Sequence, residues 1–266
     1  MNIFLKTEEE IQLMREANQL VGKTLAELYH FIKPGVTTKQ LDKIAEEFIR
    51  DHGAIPTFKN FPNPNGNPFP ASICTSVDAI VVHGIPNDKM VLKEGQIISV
   101  DCGVKLNGFC GDSAYTFCVG EVSQDVKKLL RATKDSLYLG IKTAVAGKRV
   151  GDIGSCIQNF CESKGYGVVR ELTGHGIGHE MHEDPPVPNY GKKGSGPLLK
   201  NGMCIAIEPM ITMCDRKIGL LPDKWSILAL DRKPAAHFEH TIVVRHGQSE
   251  ILSSFKDIEL LEGDIY

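Results

Sequence analysis

Leu92-Lys-Glu-Gly-Gln-Ile-Ile-Ser-Val-Asp101 is echoed at Leu199-Lys-Asn-Gly-Met-Cys-Ile-Ala-Ile-Glu208. Each stretch is a glycine-led apolar run of strand type, and each ends on a carboxylate. A buried strand should not end on an unpaired acid, because an isolated ionised carboxylate is costly to desolvate. Matched acids in two such segments point to a shared cause, and one metal site between two related halves supplies it.

The flanks repeat the plan. Thr7 followed by Glu10 is a capping-box signature. From there Ile11, Met14, Ala17, Leu20, Val21, Leu25 and Leu28 recur at helical spacing until Pro34-Gly35. A second helix is predicted from Thr37 or Thr38, with a stripe of Leu41, Ile44, Ala45, Phe48 and Ile49 closed by Gly53. In the second half a helix is predicted from about Ser123 to Ala146 and broken by Gly147. Ile153, Cys156, Ile157, Phe160 and Cys161 then form a stripe closed by Gly165. Aligning Gly53 with Gly165 puts the two stripes in register. Each half continues through His-Gly-Ile (His83, His175), the echoed strand with its acid, and a further acid (Asp112, Glu239) before a closing strand. The pattern is a duplicated α+β unit with pseudo-repeat halves of about 7–120 and 121–250, fused into a single domain over 1–266 with a common sheet. Residues 59–70, dense in Pro, Asn and Gly, can be neither helix nor central strand. Residues 189–197 read as an exposed turn.

The chain has 266 residues, 42% hydrophobic and 24% charged, with a net charge of -3, so it can bury a sizeable core. The slight acidity and the lack of a long Lys/Arg run argue against a nucleic-acid footprint. The acidic start lacks the pattern of a signal peptide, and no apolar stretch is long enough to cross a bilayer. The eight cysteines form no Cys-x-x-Cys and mostly lie in apolar runs, which reads as buried thiols in a reducing, cytoplasmic compartment.

The candidates for chemistry are Asp101, Asp112, His175, Glu208 and Glu239. Gly103, Gly108 and Gly111 suit a hairpin that brings Asp101 and Asp112 to one locus. Four carboxylates so placed repel unless cations hold them. Oxygen ligands plus one imidazole suit Mn, Co, Fe or Zn better than Cu(I) or an iron–sulfur cluster. Two divalent ions balance the carboxylates, and a bridging hydroxide leaves a charge of about -1 that attracts a substrate ammonium group; such a pair also acidifies a shared water. The pattern therefore reads as metal-assisted hydrolysis with recognition of an N-terminal amine. His179-Glu-Met-His182 is one residue short of HExxH and lies among glycines, which excludes a helical zinc-protease motif. A neutral His83 beside the metals suits a hydrogen bond to a peptide amide, and His182 suits an oxyanion. His30, His52, His237 and His246 read as surface or core residues. Gly22-Lys-Thr24 lacks the upstream glycine of a phosphate loop, Ala17 standing there, and sits mid-helix.

Several segments together carry a family resemblance: Ala71-Ser-Ile-Cys74-Thr-Ser-Val, Val82-His83-Gly-Ile-Pro86, Val100-Asp101-Cys-Gly, Gly111-Asp112, Thr173-Gly-His175-Gly-Ile-Gly, Met181-His182-Glu-Asp-Pro, Ile207-Glu208-Pro-Met and Phe238-Glu239-His240-Thr. Over nearly its whole length the chain resembles the type I methionine aminopeptidases, of the pita-bread fold, in which two pseudo-symmetric halves surround a central antiparallel sheet. The resemblance implies that Asp101 chelates one divalent ion, that Asp112 and Glu239 bridge two, and that His175 and Glu208 complete the other. Glu208 would also shuttle the proton of the bridging water that attacks the scissile carbonyl, while His83 and His182 position the peptide and stabilise the tetrahedral intermediate. Cys74, Phe69, His83 and Trp225 match the family's pocket for the methionine side chain. The implied substrates are nascent polypeptide amino termini with a small second residue, met at the ribosome or after it. No zinc-finger or proline-rich extension for docking there is expected, and a monomer is. Two departures stand out: Asn60 to Pro68 is longer than the family's Gly-Tyr-His-Gly by about five residues, and Met181 stands where the family often has an aromatic. The alternatives are a proline-directed peptidase and an inactive binding protein on the same fold.

Overall fold

Thr7 starts the first helix as its spacing predicts. Its hydroxyl accepts the Glu10 N–H at 3.3 Å, and the Glu10 carboxylate accepts the Thr7 N–H at 2.8 Å. In this computed structural model, which describes residues 2–64 and 66–263, helix α1 runs over Glu8–Tyr29 and buries Met14, Leu25 and Leu28. Gly22 lies in mid-helix, where a Cβ would come 2.7 Å from Ser254 O, so packing and not phosphate explains it. Helix α2 (Thr38–Asp51) has the same reciprocal cap, Thr37 with Gln40, and stops at Gly53, whose φ of 75° closes the turn. Strands β1 (Ile55–Pro56), β2 (Ile73–Val77), β3 (Ile80–Val82), β4 (Ile97–Leu106) and β5 (Phe109–Cys118) follow.

The second half again opens with two helices, α3 (Gln124–Thr143), capped by Ser123, and α4 (Val150–Ser163). Its strands are β6 (Gly167–Val168), β7 (Thr173–Gly176), β8 (Glu183–Pro188), β9 (Cys204–Ile207), β10 (Met210–Thr212), β11 (Ile218–Leu220), β12 (Ile227–Ala229), β13 (Ala235–His237), β14 (His240–Val243) and β15 (Glu250–Ile251). Helix α5 (Lys256–Glu262) ends the described chain. Among the described residues every strand pairing is antiparallel. One large sheet runs β1-β4-β2 with β5 on β4, the other β15-β14-β9-β7-β8, and two three-stranded sheets flank them.

The two large sheets meet where β5 passes the start of β14. Ser113 Oγ donates to Glu239 O at 2.6 Å, Glu239 N to Ala114 O at 2.9 Å, and Thr241 Oγ1 to Asp112 O at 2.8 Å. One apolar core runs through both halves, including Val21, Val100, Tyr115, Leu137, Ile157 and Phe238. All eight cysteines are free, five of them buried. No helix among the described residues is long and apolar enough to cross a membrane.

Sequence expectations need correction at three points. The common sheet is divided, β5 and β14 belonging to separate antiparallel sheets that meet at Ala114 and Glu239. Asp101 does not end its strand. It lies inside a ten-residue β4, whose hairpin to β5 turns on Asn107-Gly108 with φ of 52° and 84°, the left-handed pair of a type I′ turn. The turn expected at 189–197 is exposed over 191–196 but not at its start, where Asn189 is fully buried and its side-chain amide donates to Glu208 O at 2.9 Å.

Helix α1 crosses β5 so closely that a Cβ on Gly111 would lie 2.6 Å from the Ala17 carbonyl carbon and 2.7 Å from Asn18 N. Backbone cannot yield as a side-chain tip can, so Gly111→Ala should lower stability by about 1–3 kcal/mol. A denaturant midpoint equal to that of the wild type would contradict this close approach.

Candidate metal centre

Register places the first two carboxylates. Asp101 faces Ala114 across the β4–β5 ladder, and Gly103, two residues on, faces Asp112. Residues two apart share a face, so Asp101 and Asp112 project from the same face on a diagonal. Cys74 of β2 pairs directly with Asp101 and shares that face, while Val100 and Cys102 point into the core. Asn18 of α1 supports the position: its Oδ1 accepts the Asp112 N–H at 3.2 Å and its Nδ2 donates to Met14 O at 2.9 Å.

The second half supplies the rest. His175 sits in β7 between two glycines that admit no side chain; a Cβ on Gly174 would lie 2.3 Å from Ala206 O, and one on Gly176 2.2 Å from Asp184 O. Glu208 follows β9 directly, and Glu239 lies between β13 and β14. Asp112, His175 and Glu239 are buried, with one potential ligand atom from each lying within 4.8 Å of the others. His175 Nε2 is 3.6 Å from Asp112 Oδ2 and 3.7 Å from Glu208 Oε1. Its Nδ1 is 2.9 Å from Gly176 O. A carbonyl only accepts, so Nδ1 carries a proton, and Nε2 is left to face the carboxylates.

The electrostatics of the cluster are unfavourable as it stands. Burial pushes the Asp101 and Glu239 carboxyls well above the ordinary range, and the neighbouring Asp112 and Glu208 add to it. Asp112 is also raised by burial, in part offset by His175. Burial disfavours charge on His175, yet Asp112 and Glu208 outweigh it and hold its pKa above the usual value. Asp101 Oδ1, Asp112 Oδ1 and Glu239 Oε1 are buried with no hydrogen-bond partner. Such oxygens are what divalent cations satisfy, and a metal would displace the imidazolium proton. The donor set, carboxylates plus one imidazole, therefore fits hard or borderline divalent ions.

All five expected ligand residues line one cavity of about 330 Å³. The three expected pocket residues besides the histidines line it too. Phe69 meets Trp225 edge to face at 5.2 Å, and Cys74 lies beneath, its thiol held protonated by burial and by Asp101 and Asp112. His83 adopts φ of 59° after β3 and presents its ring beside Trp225 at 6.4 Å; burial lowers its pKa. His182 opens at the cavity mouth, edge-on to Phe61 at 5.2 Å and to His175 at 4.3 Å. The cleft walls desolvate its charged form, His175 opposes a second charge, and its pKa falls to about 4.

The long segment 59–70, already expected to bring Phe69 to the pocket, adds a lining residue that the sequence did not mark, Phe61. It folds back on itself through Asn60 N to Phe69 O at 2.8 Å and Phe69 N to Phe61 O at 2.9 Å, which turns Phe61 into the cavity. Two of its residues reach the other half: Asn63 Nδ2 donates to Lys224 O at 3.0 Å, and Asn67 O accepts from Trp225 Nε1 at 2.9 Å. Met181 does not line the cavity; it lies in a buried cluster against which Phe58 and Phe61 pack, its Cε 2.5 Å from where a Cβ on Gly103 would stand. A second omission is His237. It was read as surface or core; it is buried, but its Nε2 faces Glu208 Oε2 at 3.6 Å. Its place two residues before Glu239 was the available signal, since alternate residues of an extended chain share a face.

Comparison with known proteins follows the same lines. A sequence profile of metallopeptidase family M24 matches residues 12–246. The methionine aminopeptidase of Clostridium acetobutylicum is 49% identical over 251 residues, covering 94% of this chain and 98% of its own. Methionine aminopeptidase 1 of Bacillus subtilis is 49% identical over 251 residues, 94% and 99% of the two chains. The crystal structure of methionine aminopeptidase from Rickettsia prowazekii superposes with a TM-score of 0.91 at 40% identity, over 95% of this chain and 100% of that one. The α+β, pita-bread architecture expected from the sequence is the one observed.

Because burial first and the neighbouring carboxylates second disfavour charge on Glu239, removing that charge should stabilise the metal-free fold. Glu239→Gln is expected to raise metal-free stability at pH 7 by about 0.5–2 kcal/mol. A carboxyl raised in the folded state binds its proton earlier there than in the unfolded chain, so the wild type regains stability as pH falls. The gap between variant and wild type should therefore narrow from neutral pH toward pH 4.5, the ordinary Glu value. A variant less stable than wild type at pH 7, or a gap independent of pH, would contradict this electrostatic account.

Proposed function

The chain belongs to metallopeptidase family M24, and on that premise we infer that it removes the initiator methionine from the amino termini of new proteins and peptides. The observation that carries this reading is the joining of two features in one cavity: a cluster of under-satisfied carboxylates and an apolar pocket of aromatic rings and a thiol. Identity of 49% over nearly the full length with methionine aminopeptidases supports the same substrate.

We propose Asp101, Asp112, His175, Glu208 and Glu239 as ligands of two divalent ions, Co, Mn, Fe or Zn, whose four positive charges match the four carboxylates. Bound there, such ions would acidify a water toward neutral pH and polarise the substrate carbonyl. The remaining work belongs to side chains. Glu208 takes a proton from the attacking water and returns it to the departing amine. His182, neutral at pH 7, has one N–H for the oxygen that gains charge as the carbonyl carbon becomes tetrahedral. His83, kept from charging by burial, hydrogen-bonds the peptide amide. The methionine thioether seats among Phe69, Trp225 and Cys74, a favourable setting for a polarisable sulfur. The substrate ammonium is drawn to the carboxylate end. Phe61 crowds the side of the cavity next to His182, which supports a preference for a small second residue. We place the reaction in the cytoplasm, on nascent chains, by a monomer; the eight free thiols support the compartment.

Chelator-stripped protein should release Met from Met-Gly-Met only when Mn or Co is returned, and should leave Ala-Pro-Ala intact. Cleavage of Ala-Pro-Ala alone would make it a proline peptidase, and cleavage of neither would make it a binding protein. Glu208→Ala should lower kcat by about 10²–10⁴, the typical contribution of a general base; near-normal turnover would remove Glu208 from that role. His182→Ala should lower kcat by about 10²–10³ with KM little changed, as for loss of an oxyanion donor. A pure KM effect would place His182 in ground-state binding instead.

A further inference from the structure

We propose that His237 is a positioning residue for Glu208: its imidazole N–H holds one carboxylate oxygen so that the other is presented to the metal ions. The proposal rests on the reading of Glu208 as a ligand given above. His237 is 1% exposed, and neither ring nitrogen has a hydrogen-bond partner. Buried polar groups without partners are uncommon and call for a cause. Both carboxylate oxygens that stand near Nε2 belong to the cluster, Glu208 Oε2 at 3.6 Å and Glu239 Oε2 at 4.0 Å. On its other side Glu208 presents Oε1 to His175 Nε2 at 3.7 Å. Glu208 is thus flanked by two imidazoles, one on each oxygen, of which only His175 is in the proposed ligand set.

The backbone fixes where the His237 ring can go. Thr116 Oγ1 accepts the His237 N–H at 3.0 Å and donates to His237 O at 2.7 Å, while β13 pairs His237 with Met210 of β10. Thr116 is itself tied to Ser99 Oγ at 2.8 Å, across the ladder that carries Asp101 and Asp112. Strands from both halves therefore aim this ring at Glu208. A carboxylate only accepts, so the bond is made by an Nε2–H of the ring. The present distance is just beyond a hydrogen bond, and a shift of the Glu208 carboxylate by under ~1 Å closes it. Donors behind a ligating carboxylate fix its orientation, and losing one typically weakens metal binding 10- to 100-fold.

The test compares wild type, His237→Gln and His237→Leu. Gln keeps an N–H donor at similar reach, and Leu fills the ring's volume without one. Chelator-stripped proteins are titrated with Co(II) by calorimetry, with the visible spectrum of the Co(II)-loaded form and the melting temperature of the metal-free form recorded. The expected result is a loss of about 10- to 100-fold in affinity for one equivalent in the Leu variant. The Gln variant should stay close to wild type, with an unchanged Co(II) spectrum. Wild-type affinity in the Leu variant would make His237 a packing residue and overturn the proposal. An equal loss in Gln and Leu with an altered spectrum would make it a ligand, which also overturns it. A wild type that binds no Co(II) would remove the metal reading itself, an outcome recognisable without either variant.

Discussion

Repulsion among carboxylates that the fold forces together is the constraint on which the rest of this structure depends. Asp101 and Asp112 come from one hairpin and Glu208 and Glu239 from the other half, and the seam between the sheets is closed by the Ser113 hydroxyl on Glu239 O and the Glu239 N–H on Ala114 O. The same contacts that join the halves set the acids against one another. With His175 as a nearby basic partner and three oxygens left unpartnered, the cluster is costly without cations, a cost that the proposed metal ions would offset. A functional site that lowers the stability of the empty protein is the usual trade between stability and activity.

Close backbone packing gives the cluster its rigidity. Gly111 lets α1 lie on β5, so that Asn18 can hold the Asp112 amide, and Gly174 and Gly176 seat His175 against the strands beside it. Around this fixed floor the pocket is built from more adaptable parts. The segment 59–70 crosses from one half to the other and is pinned at Lys224 and Trp225, which couples the pocket wall to both halves at once. The proposed ligands thus sit in strands or directly beside their ends, while one wall of the cavity is built by a loop.

The sequence was most legible where the signal is local. The two helix caps, the glycine stops after α2 and α4 and the acid after β9 are each decided by a few neighbouring residues. The strand echo led to acids that the structure brings to one cavity, although it placed Asp101 at the end of a strand that in fact runs on to an Asn-Gly turn. What escaped was non-local. Asn18 meets Asp112 across 94 positions, and segment 59–70 docks on Lys224 from 161 positions away. No spacing rule reaches that far. His237 escaped for a different reason: a lone histidine in an apolar strand is usually core, and only its neighbour Glu239 marked the face it shares.

The most direct test of the central claim is anomalous diffraction from crystals of this protein soaked with Mn(II) after chelator treatment. The account predicts two peaks about 3.5–4 Å apart, both among Asp101, Asp112, His175, Glu208 and Glu239. Peaks elsewhere, or a single ion held by Asp112, His175 and Glu239 alone at saturating metal, would contradict it.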